Sequence, residues 1–243
     1  MTAIFKRELH AYFISPVGYI FIAVFLLVSG ALFTFTTISA GESSNVAEYF
    51  TYIIFTFIVL IPLLTMRLLS EERKTKTEQM LLTSPVSLPG IIIAKFFAAF
   101  ALFAGTFLVS CLNFYVLYKF AEKDFKGIPV TNTSVLVGNV IGILLIGAAF
   151  IAIGLFISAM TENQLVAAIL SIVTIFFLLI SGVFSDMINI TFIRIILDFL
   201  SIFSRFSAFA YGIFDISAII YYASIVIIFL FLTIRIYEIR RWQ

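Results

Sequence analysis

The residues of this sequence whose types suit chemistry are few: the adjacent carboxylates Glu71 and Glu72, the sole histidine His10, the sole cysteine Cys111, and the group Ser181, Gly182, Ser185 and Asp186. A carboxylate pair at the end of an apolar run suits an intramembrane metalloprotease, but that chemistry holds its metal through histidines. The only histidine here lies in the N-terminal segment, and Lys76 stands at the fourth position after the pair, where the glutamate-glutamate-x-x-x-arginine pattern requires Arg. Ser181 and Ser185 offer a hydroxyl and Asp186 a carboxylate, with no general base among them. Cys111 has no positioned partner, and a single cysteine forms no intrachain disulfide. The expectation is therefore a chain with no catalytic residues, no metal site and no cofactor of its own.

The elements that carry these residues explain more. Of 243 residues, 63% are hydrophobic and 12% charged, with thirty Phe and ten Tyr. Soluble domains carry about a quarter charged residues, so this composition reads as an all-α integral membrane protein with aromatic anchors at its interfaces. A formal charge of +2 argues against a nucleic-acid partner. Cutting at charged residues leaves six apolar runs, near 16–39, 50–69, 91–118, 134–160, 164–184 and 216–234, each close to the roughly 20 residues that cross hydrocarbon. The first is longer than a signal peptide's apolar region and is read as retained.

Orientation follows from the basic residues. With the N-terminus inside, Lys6, Arg7, Arg67, Arg73, Lys74, Lys76, Lys95, Arg235, Arg240 and Arg241 fall inside, ten in all. Lys119, Lys123, Lys126, Arg194 and Arg205, five in all, fall outside. Both termini are expected in the cytoplasm.

Residues 1–15 place Ile4, Phe5, Leu9, Tyr12 and Phe13 at helical spacing, predicting an N-terminal amphipathic interfacial helix whose Lys6, Arg7 and His10 face anionic headgroups. Residues 186–215 alternate charges with apolar pieces too short to cross, predicting an extracellular re-entrant or interfacial hairpin between spans five and six, with Arg194 and Asp198 paired at i,i+4. It closes the outer end of a pathway or serves as a structural plug. The fourth span holds Gly138, Gly142, Gly147 and Gly154, small residues that let helices pack closely within the chain. No linker or repeat divides residues 1–243, which read as one domain.

None of the six spans carries an ionisable residue near its middle, as an ion-coupled carrier would, and Arg67 and Lys95 are placed where their stems snorkel to the cytoplasmic surface. The Gly-x-x-x-x-Gly-Lys-Ser/Thr phosphate loop is absent too, so energy for any transport arrives from another polypeptide. Residues 70–90 are the candidate receiver. Ser70 is expected to cap a helix over 71–83, Glu71 and Glu72 to occupy its first turn, and Pro85 to end it. An ordinary solvated loop is the other reading.

This loop, Thr65-Met66-Arg67-Leu68-Leu69-Ser70-Glu71-Glu72-Arg73-Lys74-Thr75-Lys76-Thr77-Glu78-Gln79-Met80-Leu81-Leu82-Thr83-Ser84-Pro85-Val86-Ser87, with Lys95-Phe96 beyond it, resembles the first cytoplasmic loop of type 2 ATP-binding-cassette exporter permeases. The likeness is nearest to the gliding-motility and nitrous-oxide-reductase maturation branch, with Lys76 replacing a frequent Gly before Thr77. Phe5-Lys6-Arg7-Glu8-Leu9 through Gly18-Tyr19 looks like that family's interfacial helix, and Gly154 to Gln164 resembles its tight turn between spans four and five. The resemblance implies the transmembrane subunit of an exporter in a bacterial cell membrane, paired with a second permease copy or a related permease. It further implies a seat on ABC ATPase subunits that bind the ATP and Mg, and an accessory membrane or extracytoplasmic protein as a further partner. It makes residues 71–83 a coupling helix and 160–164 a second contact, with Glu71, Glu72, Arg73, Thr77, Glu78, Leu81, Leu82, Thr161 and Glu162 as ATPase-docking residues. A non-transporting membrane assembly protein that docks a cytoplasmic partner through the same loop is the alternative.

Overall fold

The computed structural model describes residues 2–38, 46–77, 87–120, 133–187 and 190–241, and its elements are helices. Helix α1 (Thr2–Ile14) leads into α2 (Pro16–Phe33), which continues as a π-helical turn at Thr34–Ile38. Then come α3 (Val46–Thr65), the short α4 (Ser70–Lys74), α5 (Leu88–Ser110), α6 (Asn113–Phe120) and α7 (Thr133–Met160). The chain ends with α8 (Gln164–Met187), α9 (Thr191–Leu200), α10 (Ile202–Ala210) and α11 (Ile216–Arg241). Six stretches are long and apolar enough to cross a membrane: Pro16–Thr36, Ala47–Lys74, Leu88–Tyr115, Thr133–Met160, Gln164–Ser185 and Ile216–Arg241.

Helix α7 is the axis of the bundle. It packs on α3, α5, α8, α10 and α11, and Ala149 to Leu155 are all fully buried. Its glycines make these approaches possible. A side chain at Gly147 would occupy the place of the Phe103 ring of α5, and one at Gly154 the place of the Thr65 hydroxyl of α3. At Gly142 an added Cβ would come within 2.9 Å of Phe206 of α10. The small residues of the fourth span thus serve packing within the chain. Large apolar side chains on α2, α8 and α11, such as Leu27, Val173 and Ile227, face outward instead, as helices bordering lipid require.

Helices α1 and α2 join at Ser15, whose extended backbone is the conformation favoured before proline. Gly18 lies against the Tyr12 carbonyl, where no side chain fits, so the chain turns tightly there. The face of α1 that meets the bundle carries Ile4, Glu8 and Tyr12 at intervals of four, a mixed stripe with a carboxylate in its middle.

Residues 191–210 form two short helices meeting at Ser201, whose hydroxyl accepts from the Ser204 amide. They are held by Tyr221 and Tyr222 of α11, which donate to the Leu200 and Ile202 carbonyls, and by Ser185 of α8, which donates to Asp198. Arg194 lies 3.9 Å from Asp198, the expected i,i+4 pair. Arg205 stacks over the Tyr221 ring at 4.3 Å, giving its charge an aromatic face inside this apolar layer.

Candidate functional site

The end of the bundle that carries both termini is built around a break in the second span. Helix α3 stops at Thr65, four residues form a turn, and α4 starts at Ser70. Breaking a helix where Leu68, Leu69 and Ser70 are buried frees backbone groups that water does not reach, so other elements must supply partners.

They do so from three sides. The Ser158 hydroxyl of α7 accepts from the Leu69 and Ser70 amides at 3.2 and 3.1 Å and donates to the Met66 carbonyl at 3.1 Å. One donor and two acceptor positions exhaust what a serine hydroxyl offers. Tyr12 of α1, buried, donates to the Leu64 carbonyl at 3.1 Å, and that burial pushes its phenol well above its ordinary value. Lys95 of α5 donates to the Leu68 carbonyl at 3.0 Å.

Lys95 is also the centre of an ionic cluster. Its ammonium, 1% exposed, lies 2.7 Å from Glu72 of α4 and 3.1 Å from Glu8 of α1. Arg7 bonds Glu8 at 2.8 Å and stands 3.9 Å from Glu72. A buried ammonium is costly unless it is paired and hydrogen-bonded, and here two carboxylates and a carbonyl surround it. Lys95 thus does not snorkel to the surface as expected: its end is enclosed by acids delivered from two other elements.

The expected docking residues divide by position. Glu71 forms a two-point pair with Arg67, at 2.7 and 3.0 Å. Glu72 turns inward to Lys95, its side chain only 17% exposed. Arg73 crosses to the turn between α7 and α8, giving 3.0 Å to the Met160 carbonyl and 2.8 Å to Glu162. Thr161 turns back to the Ile157 carbonyl, while Glu162 is 70% exposed beyond its contact with Arg73. Arg240 at the end of α11 donates to the Ala159 carbonyl, so the C-terminal helix is pinned at the same turn. Thr77 is exposed and shares a 2.9 Å hydrogen bond with Thr75. Glu78, Leu81 and Leu82 lie outside the described residues.

Two local expectations change. Ser70 is not the cap of α4: Leu69 holds that position, and the Ser70 hydroxyl donates back to the Met66 carbonyl. Nor does one helix run on from residue 71 to 83, since α4 ends at Lys74 and Lys76 has φ +59°, a left-handed conformation that terminates helices. That is the position where the resembled loops commonly hold glycine, the residue that adopts this backbone without strain.

Sequence reasoning did not find Glu8, Tyr12 and Ser158. Glu8 and Tyr12 share a helical face with Ile4, which marks that face as the docked one. Ser158 reads as one more small residue in a small-residue span.

Residues 27–237 match the family described as "ABC-2 family transporter protein". No curated protein matches the chain. The match begins within α2 and so leaves out α1, although Glu8 and Tyr12 complete the joint at the break.

Proposed function

From the premise that this chain belongs to the ABC-2 family of transporter proteins, a membrane permease, we propose that it forms the transmembrane half of an ATP-driven exporter and receives the work of separate ATPase subunits at the face carrying both termini. The observation that carries this reading is the link from Arg73 to Glu162 and the Met160 carbonyl. It joins the two cytoplasmic segments that the family resemblance assigns to ATPase contact into one surface. A partner pressing on either segment displaces both, together with α3, α7 and α11 behind them.

The excess of Lys and Arg on this side supports its cytoplasmic placement, and the family resemblance implies a bacterial cell membrane. The ATPases bind the ATP and Mg, and this chain contributes no nucleotide site. Two permease subunits, identical or related, enclose the pathway, and the pair α9–α10 covers its outer end. The residues from Met66 to Ser87 support assignment to the gliding-motility and nitrous-oxide-reductase maturation branch, where an accessory membrane or extracytoplasmic protein joins the assembly.

Reconstitution with the partner ATPase tests the reading. The chain is expected to stimulate ATP hydrolysis, and Arg73→Ala to abolish stimulation while insertion persists. A scaffold that docks a partner without transport would bind the ATPase and leave its hydrolysis rate unchanged.

A further inference from the structure

Lys95 has no place in the docking surface, yet it is the most enclosed charge near it. Its ammonium touches groups from three separate pieces of chain: Glu72 on α4, the Leu68 carbonyl in the break, and Glu8 on α1. Its own backbone belongs to α5, where Ala94, Phe96, Ala98 and Ala99 are buried around it. Any displacement of α4 toward or away from the bundle must therefore either carry α5 and α1 along or separate an ammonium from its carboxylates at low dielectric. Separation leaves an uncompensated buried charge, a severe cost, so the joint moves as a unit.

Resting on the proposed coupling role of α4, we infer that Lys95 is the positioning residue that transmits displacement of α4 to α5 and α1, making α1 a moving part of the permease. Without this clasp, α4 is fixed to α7 through Ser158 and to the 160–162 turn through Arg73, but α5 loses its charged link to it and α1 keeps only the 3.9 Å approach of the exposed Arg7 to Glu72. The surrounding charges make the clasp specific. Arg7 balances the second acid, while Arg67 and Arg73 are engaged by Glu71 and Glu162, which leaves Glu72 to Lys95.

The test uses the permease–ATPase complex in lipid nanodiscs, with spin labels at Leu112→Cys and Ile213→Cys on a Cys111→Ala background. Both label positions are exposed and lie at the end of the bundle remote from the termini. In this parent, ATP with vanadate is expected to shift the label-to-label distance. The variant Glu8→Gln/Glu72→Gln/Lys95→Met removes the enclosed charges together and leaves only Arg7, 60% exposed and open to water, without its acids, so no buried unpaired ion remains to unfold the joint. It is expected to hydrolyse ATP yet lose the distance shift. The exchange of all four charges, Arg7→Glu/Glu8→Lys/Glu72→Lys/Lys95→Glu, restores an alternating cluster and is expected to recover the shift, which a merely structural role for Lys95 does not predict. Should the neutral variant fail to accumulate, the exchange decides alone, and an exchange variant that folds without the shift overturns the inference. A normal shift in the neutral variant overturns the inference and leaves the permease reading standing. Absence of any nucleotide-dependent shift in the parent overturns both.

Discussion

Arg73 and Glu162, 89 positions apart, meet at 2.8 Å at the end of the bundle that carries both termini. The contact spans from the end of the second span to the turn after the fourth, and Arg73 reinforces it through the Met160 carbonyl. Much of the Glu162 side chain remains exposed. An exposed ion pair alone contributes little to stability. Its importance is geometric, because it makes two short segments one surface.

Removing the Ser158 hydroxyl should loosen that surface from behind. Ser158→Ala leaves the Leu69 and Ser70 amides without their acceptor, at about 1–3 kcal/mol for each buried donor. A thermal melt of the purified protein in detergent is expected to show a clear fall in midpoint. An unchanged midpoint would mean that the break in the second span does not depend on α7.

Glycine substitutions along the bundle should separate into two classes. Gly154→Val and Gly147→Val are expected to prevent folding, since the added side chains fall on Thr65 and the Phe103 ring. Gly105→Ala meets open space and is expected to be neutral or stabilising by up to about 1 kcal/mol, the helix-propensity difference. Yield of monodisperse protein by size-exclusion chromatography distinguishes the classes, and equal yields for all three would contradict the packing described.

Lys76→Gly should tighten the turn after α4. A non-glycine residue at φ +59° carries a strain of about 1–2 kcal/mol, part of which glycine recovers and part of which it returns as chain entropy. Amide exchange over residues 70–77 is expected to slow by a few fold. Faster exchange there would show that the lysine side chain, not the backbone, sustains the turn.

How far the sequence revealed this arrangement depends on the kind of signal each residue emits. The six apolar helices are legible because span length and hydrophobicity are local properties. The packing role of Gly138, Gly142, Gly147 and Gly154 is legible because a concentration of small residues within one span is itself a local signal. The i,i+4 pair of Arg194 and Asp198 is legible because its spacing is local too. The Lys95–Glu72–Glu8 cluster is not, because each charge belongs to a different element and each has a reasonable local explanation. Lys95 sits where a lysine can snorkel, Glu72 where an acid favours a helix start, and Glu8 on a helix with basic neighbours. Only tertiary packing turns the three toward one point. Ser158 is hidden for a related reason: its three hydrogen bonds go to a segment of chain far away in sequence.

Charge exchange at Arg73 and Glu162, read as stimulation of the partner ATPase in proteoliposomes, separates a joined docking surface from two independent contacts. Arg73→Glu and Glu162→Arg are each expected to abolish stimulation, and the double variant to recover most of it, with insertion unchanged throughout. Full stimulation by both single variants would contradict the proposal that these two segments act as one coupling surface.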